Sequence, residues 1–168
     1  PLRGRNMNVE KILIEESTFW CDRARIFLLG HESKARHMRS ITIRDCDIIH
    51  FAMTPFLVEP ADEMKISRVL FSKIRIHGEG QRELIRLKPV ELPQYDIPGF
   101  GYIDGVSFEN ISVEGQGGAY QIQLFGVNKK YPVRNVYFRE VVIKGNNLEK
   151  NRSYLKQNEY LRNLRLDP

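Results

Sequence analysis

Several residue types that mark whole classes of protein are scarce in this chain. Only two of the 168 residues are cysteines, Cys21 and Cys46, so there is no disulfide framework and no C-x-x-C spacing for zinc. No apolar run approaches the roughly 20 residues that a membrane-spanning helix needs. The densest basic run is Lys129-Lys130, although the formal charge is +5. These absences predict no membrane span and argue against a nucleic-acid partner, which would require clustered basic residues.

The composition is otherwise typical of one globular domain. Apolar residues make up 42% and charged residues 28%, which excludes a disordered chain. A length of 168 residues suits a single domain spanning 1–168. The chain opens at Pro1 without a methionine, and we therefore expect that an upstream segment has been removed.

The strongest pattern is a repeat of six similar segments. In each segment the first, fourth and sixth positions are apolar, and alternation at the last two predicts a strand with one buried face. The fourth positions are Ile12, Ile41, Val69, Val106, Val136 and Leu164, at steps of 29, 28, 37, 30 and 28 residues. Repeats of this length indicate a solenoid.

Each segment then skips two polar residues before the apolar pattern resumes. One further column contains Cys46, Ile74, Ile111 and Val141, and the next contains Phe19, Ile48, Ile76, Val113 and Ile143. Two consecutive outward residues predict a bend between two strands, and helical periodicity does not survive it. Cys46 is therefore predicted to be a buried, inert thiol.

Shorter apolar stretches predict a second strand in each unit, at residues 25–29, 55–58, 84–87, 121–124 and, weakly, 154–155. Neither a leucine-rich repeat nor an ankyrin repeat fits, since the frame of the first and the paired helices of the second are missing. The prediction is an all-β, right-handed, single-stranded parallel β-helix of about six coils of 28–30 residues. Its two ends expose parallel strand edges, which predicts end-to-end or upstream-domain packing there.

Acidic side chains on outward positions are candidates for glycosidic chemistry, which uses two carboxyl groups. The candidates are Glu16, Asp22, Glu32, Asp45, Asp47, Glu59 and Asp62. For Glu16 and Asp45, which stack above Lys73, a surface charge ladder is the better interpretation.

Residues 20–33 form the most unusual local cluster. Here the single tryptophan, Trp20, stands near Asp22, Arg25 and His31. A sugar site needs an aromatic platform with charged groups beside it. A capped turn in which Trp20 packs on a loop is the alternative, and this pattern alone favours that alternative.

The 37-residue step contains an insertion whose core is residues 92–102. Insertions in solenoids often map to the binding face, and Tyr95, Phe100 and Tyr102 could stack on sugar rings. A proline-braced loop that covers core is an equally good interpretation. The four histidines show no ligand spacing, so neither a metal site nor a cofactor is predicted.

Residues 103–111 and 133–139 carry a family resemblance. They are close to the phrase Ile-x-Asn-Val-x-Phe-x-Asn-Ile, and the chain resembles the later coils of bacterial polygalacturonase-type (family 28-like) glycoside hydrolases. The same phrase occurs in other β-helices, including some lyases and phage tailspikes. The resemblance implies inverting hydrolysis of pectic or related polysaccharides by an extracellular or periplasmic enzyme.

The family's catalytic motifs are only partly present. Gly30-His31-Glu32 echoes Gly-His-Gly, and Arg86-Leu87-Lys88 has the Arg-x-Lys spelling, whereas Asp-Asp and Asn-x-Asp are absent. The resemblance therefore implies that the main acids precede residue 1 and that residues 1–168 are the C-terminal part of a longer enzyme. The predicted catalytic residues are Asp22 and His31, and the predicted substrate-binding residues are Trp20, Arg25, Arg86, Lys88 and Tyr95.

Two other functions remain open. One is a non-catalytic carbohydrate-binding or adhesin-like β-helix. The other is a polysaccharide lyase, which would need a Ca²⁺ site or a basic side chain acting as base. A polysaccharide is the predicted partner in all three cases.

Overall fold

The computed structural model describes residues 7–78, 83–115 and 120–168, and these residues are mostly β-strand. In chain order the strands are β1 (Asn8–Glu15), β2 (Thr18–Cys21), β3 (Phe27–Gly30), β4 (His37–Phe51), β5 (Phe56–Glu59), β6 (Lys65–Ile76), β7 (Glu83–Leu87), β8 (Tyr102–Val113), β9 (Gln121–Leu124), β10 (Val133–Ile143), β11 (Asn146–Asn147), β12 (Leu155–Gln157) and β13 (Leu161–Asp167). Short 3₁₀ helices span Pro93–Tyr95 and Arg152–Tyr154. Within the described ranges, no helix is long and apolar enough to cross a membrane.

The strands form two sheets that the chain visits alternately. Sheet A contains the long strands in the order β1-β4-β6-β8-β10, with β13 also on β10, β2 on β4, and β11 as a short antiparallel partner of β10. Sheet B contains β3-β5-β7-β9-β12, all parallel. The all-β parallel solenoid is therefore confirmed. It has about five complete turns, because the six long strands are joined by five short ones.

Register within sheet A follows the predicted columns. The fourth positions pair in sequence from Ile12 through Ile41, Val69, Val106 and Val136 to Leu164. Beyond the bend, Cys46 lies opposite Ile74 and its side chain is buried, as predicted. Equivalent residues of successive turns therefore lie directly over one another.

Inward side chains of both sheets meet in one core. Phe71, Phe108 and Phe138 stack along the rod axis with ring centroids 5.0 and 5.1 Å apart. This spacing matches the distance of about 4.8 Å between neighbouring strands. From sheet B, Phe56 meets Phe71 edge-on at 4.9 Å. The two outer sheet faces consequently point away from each other.

Left-handed backbone residues explain the bends. The third positions of the repeat, Lys11, Ser40, Arg68, Gly105, Asn135 and Asn163, all have positive φ, as do the outward residues Glu16, Asp45, Lys73, Asn110 and Glu140. A residue in this conformation interrupts the alternation of a strand, so two successive side chains face outward. This bend explains why the apolar pattern of each repeat is interrupted by two consecutive polar residues.

Two irregular segments depart from the regular repeat. The insertion packs Leu92 and Ile97 against Ala61, which agrees with a loop that covers an apolar patch, and leaves Tyr95 exposed. Residues 145–157 contain β11, β12 and the buried Leu148, and β12 includes part of the strand weakly predicted at residues 154–155. At the ends of the rod, β1 and β13 each bond one neighbouring long strand in the described chain.

Candidate functional site

The predicted residues Trp20 and Asp22 lie together at the end of the first turn. The Trp20 indole N–H donates to Asp22 Oδ1 at 2.9 Å, and the indole lies 5.1 Å from the His50 ring. His50 Nε2 is 3.4 Å from the same Asp22 oxygen. Trp20 is 66% exposed, so its face is open to solvent rather than packed beneath a loop.

His31 and Arg86 are joined by a carboxylate, Glu59, at the outer side of sheet B. His31 Nδ1 lies 2.9 Å from Glu59 Oε2, and Arg86 Nη1 donates to Glu59 Oε1 at 3.3 Å. The three residues belong to successive turns, 28 and 27 residues apart. We call His31, Glu59, Arg86, Glu83 and Thr54 the sheet B site.

The remaining two members fix a second carboxylate. Arg86 Nη2 donates to Glu83 Oε1 at 2.6 Å, and the Thr54 hydroxyl donates to Glu83 Oε2 at 2.6 Å. Glu59 and Glu83 thus bind different nitrogens of one guanidinium, so Arg86 holds two carboxylates in one cluster. Burial opposes the charge of Arg86, but its hydrogen bonds to Glu83 and Glu59 outweigh burial and raise its pKa.

Local backbone geometry brings His31 over Glu59. Gly30 has φ +93°, and a Cβ there would lie 2.7 Å from the Glu59 carbonyl oxygen. Only glycine permits this approach. The His31 N–H then donates to that carbonyl, so the imidazole begins directly beside the Glu59 side chain.

Burial makes this site costly. The Glu59 side chain is 4% exposed and that of His31 is 18% exposed. Removing a charge from water costs several kcal/mol unless partners and hydrogen bonds compensate, which Arg86 and His31 do here. Among the described residues, Arg86 Nε is buried and has no hydrogen-bond partner, so the compensation from this part of the chain is incomplete.

The other predicted residues lie around these two clusters. Arg25 is half-buried in the bend before β3, Lys88 is exposed just after β7, and Tyr95 is exposed in the insertion. Asp22 contacts Trp20 and His50, whereas the ring nitrogens of His31 face Glu59 and Glu32. The two predicted catalytic residues therefore belong to separate clusters.

A second surface lies on sheet A, where a cavity of about 770 Å³ opens at the beginning of the long strands. We call it the basic groove. It is lined by Arg36, His37, Arg39, Glu63, Lys65, Ile66, Ser67, Arg68, Tyr102, Asp104 and Arg134. Burial lowers the pKa of His37, and the positive charges of Arg39, Arg36 and Lys65 lower it further.

Hydrogen bonds from tyrosine hydroxyls hold the groove carboxylate Glu63. Tyr131 donates to Glu63 Oε1 and Tyr102 to Oε2, the latter at 2.8 Å, while Lys130 Nζ lies 3.2 Å away. The Tyr131 bond, with smaller contributions from Tyr102 and Lys130, lowers the pKa of Glu63. The reciprocal bond to Glu63 raises the pKa of Tyr102 to about 12. This carboxylate is a hydrogen-bond acceptor rather than a proton donor.

A third cluster joins the far ends of three long strands. Arg75 binds both oxygens of Asp47, at 2.8 and 2.5 Å, and His77 bridges Asp47 and Glu114 at 2.7 and 3.1 Å. The hydrogen bonds of Arg75, and then of His77, lower the pKa of Asp47. The bond to Asp47, and then that to Glu114, raises the pKa of His77.

Sequence reasoning found part of these sites. Glu59 stood among seven acidic candidates, and its spacing of one repeat from His31 and Arg86 was a usable signal. Glu83 and Thr54 gave no signal. Within the described part of the chain, no group of three or more His, Cys, Asp or Glu side chains is arranged to hold a metal ion.

Comparison with known proteins leaves the family open: no family model matches the chain, and no curated protein or solved structure is significantly similar to it.

Proposed function

We propose that this chain belongs to a secreted, extracellular or periplasmic glycoside hydrolase that cleaves a polysaccharide at the outer side of sheet B. The observation that carries the proposal is the buried Glu59 held between His31 and Arg86, with Glu83 on the same guanidinium. Buried, paired ionisable groups concentrate at functional sites, because burying charged groups lowers stability and such burial persists where function requires it.

Glu59 and His31 of the sheet B site have distinct roles in this proposal. Glu59 accepts the Nδ1 proton of His31 and so fixes the tautomer in which Nε2 can exchange a proton, the logic of an oriented acid–base histidine. His31 Nε2 faces Glu32 at 3.9 Å, and Glu32 is 59% exposed. Glu32 is therefore the carboxylate placed to meet a leaving group or water.

Cations and an aromatic ring supply substrate binding. Arg86 is partly exposed at the sheet B site, and Lys88 follows it after β7. Both can bind acidic or hydroxyl groups of a sugar chain. The open face of Trp20, with Asp22 hydrogen-bonded to its indole, is a platform for a sugar ring.

The test is release of reducing sugar from pectic, galactan and dextran substrates. We expect His31→Ala to lower the rate by about 10²-fold or more, as loss of a general acid or base does. Asp22→Asn should lower the rate less, because it removes the partner of the Trp20 indole and not an acid–base group, and both variants should keep the circular-dichroism spectrum unchanged. Glu59→Gln should also lower the rate, because it removes the orientation of His31. The matched controls His77→Ala and Glu140→Gln lie on sheet A and should leave the rate unchanged.

Normal turnover by both the His31 and Asp22 variants would overturn the site assignment. A second candidate function is carbohydrate binding without turnover, which the near-complete burial of Glu59 favours. In that case the wild-type protein binds a polysaccharide and releases no reducing sugar from any of the three substrates.

A further inference from the structure

The basic groove contains more cationic than acidic side chains. Arg36, Lys65, Arg68 and Arg134 line it, and within the described residues none of the four makes an ion pair. Arg39 pairs with Glu10 at 2.6 Å. Lys65 Nζ lies 5.8 Å from the centroid of the Tyr102 ring, a contact that leaves its positive charge uncompensated. Cations gathered in one concave surface without acidic partners raise the local potential and attract an anion.

The two groove carboxylates are already satisfied by other donors. Asp104 accepts a hydrogen bond from the Asn135 amide at 2.6 Å, and Glu63 accepts from two tyrosine hydroxyls and from Lys130. Neither acid forms an ion pair with a groove arginine in the described chain. The positive excess is therefore available to a ligand.

The cations are spread along the rod rather than concentrated at one point. Arg39 lies on β4, Arg68 on β6 and Arg134 on β10, and Arg39, Ser67, Asp104 and Arg134 stand in one register column. Three strand spacings from β4 to β10 amount to about 14 Å. A single small anion would engage only part of this length, whereas a chain with repeated acidic groups can engage all of it.

The groove also offers partners for hydroxyl groups. The Ser67 and Tyr102 hydroxyls and the Asp104 carboxylate lie among the cations. A carboxylate has several lone pairs, so Asp104 can accept a sugar hydroxyl proton besides its bond from Asn135, whereas the phosphate oxygens of a phosphodiester chain have no proton to donate. Carboxylate or sulfate groups on the same chain suit the forked donors of arginine.

We propose that the basic groove is a second carbohydrate-binding surface, specific for an acidic polysaccharide lying along the rod axis and separate from the sheet B site. This inference goes beyond the proposed reaction, because it requires binding on sheet A whether or not sheet B hydrolyses the chain.

Calorimetric titration with an acidic oligogalacturonate and a neutral dextran oligosaccharide of similar length tests it. The wild-type protein should bind the acidic oligosaccharide and not the neutral one. The double variant Arg68→Gln/Arg134→Gln should weaken binding about tenfold, as expected for two exposed charge-assisted contacts. The control Lys150→Gln/Lys156→Gln removes the same charge outside the groove and should bind as the wild type does.

Equal weakening by the control pair would overturn the proposal, since binding would then follow net charge alone. Tighter binding of a single-stranded oligonucleotide of equal charge would replace the glycan with a nucleic acid. His31→Ala should keep full affinity for the acidic oligosaccharide. The two proposals are therefore separable: reducing-sugar release can fail while groove binding persists, and the reverse.

Discussion

At the scale of single residues, the unusual feature is how many side chains occupy the left-handed region. Both bend columns of the long strands contain charged residues with positive φ, among them Arg68, Lys73 and Glu140. The left-handed conformation destabilises an L-residue by roughly 1–2 kcal/mol, and it destabilises asparagine or glycine by less. Asn110 and Gly105 occupy equivalent positions with less backbone strain. At the other bends, charged residues have this strained backbone and their side chains lie on the solvated outer surface.

This strain makes a stability prediction. Glu140→Asn should raise the free energy of unfolding by about 0.5–1 kcal/mol, because asparagine tolerates positive φ better than glutamate does. Urea unfolding followed by circular dichroism measures the change. The same substitution at Glu149, which lies outside the positive-φ set, provides the control and should bring no gain. A loss of stability in Glu140→Asn would show that the bend does not limit stability there.

At the scale of elements, ion pairs between neighbouring strands follow the repeat. Asp47 on β4 binds Arg75 on β6, and His77 extends the cluster to Glu114 after β8. Because equivalent residues of adjacent turns face each other, a single outward column can connect three turns. Such exposed contacts each contribute at most about 1 kcal/mol, so their effect is on local order more than on the fold.

The His77 cluster predicts a pH dependence. Asp47 has a lowered pKa, so its contribution is present above about pH 3.9 and is lost as pH falls through the folded value. His77 has a raised pKa, so its contribution is present below about pH 6.5 and is lost as pH rises through the folded value. His77→Asn should therefore lower Tm at pH 5.5 by about 2–4 °C at most and leave it unchanged at pH 9.

The control for this effect is His37→Asn, because burial lowers the pKa of His37 instead. That substitution should raise stability at pH 5.5 relative to pH 9, the opposite trend. If Tm of the His77 variant differs from the wild type equally at both pH values, the imidazole acts through packing rather than through its charge.

At the scale of the whole molecule, stability is distributed along one axis. Each turn contacts its two neighbours, and the central strands β6 and β8 are hydrogen-bonded on both edges. At the ends, β1 and β13 are bonded to one long neighbour each. Solenoid stability is approximately a sum over such nearest-neighbour interfaces.

Hydrogen exchange should therefore report a gradient. Amides of β6 and β8 should exchange most slowly, and those of β1 and β13 should exchange earliest, because end turns can open without breaking the central interfaces. Mass spectrometry of peptides across sheet A measures this directly. Equal protection of all six long strands would mean that the rod opens as a single cooperative unit, contrary to expectation.

The sequence predicted the fold in detail because register is a local property. Apolar side chains at Ile41, Val69 and Val106 must face inward, and the two polar residues that follow fix the position of the bend. Aligning the repeats in the sequence therefore also gives the register between neighbouring turns. The insertion was ambiguous for a physical reason: Leu92 and Ile97 are followed and preceded by polar and aromatic residues that suit either a cover or a binding loop. Their burial against Ala61 shows that the insertion covers an apolar patch, while Tyr95 stays exposed and its binding role stays a prediction.

By itself, then, the sequence determined which residues share a column and that the strands of successive turns stack in parallel, because hydrophobic periodicity depends only on the order of residues. Tertiary structure alone decided which outward groups meet. It separated Asp22 from His31 and enclosed Glu59 between His31 and Arg86, and among the described residues it left Arg36, Lys65, Arg68 and Arg134 of the basic groove without an ion pair. Those outcomes depend on side-chain reach and burial across turns some 28 residues apart, which no local pattern encodes.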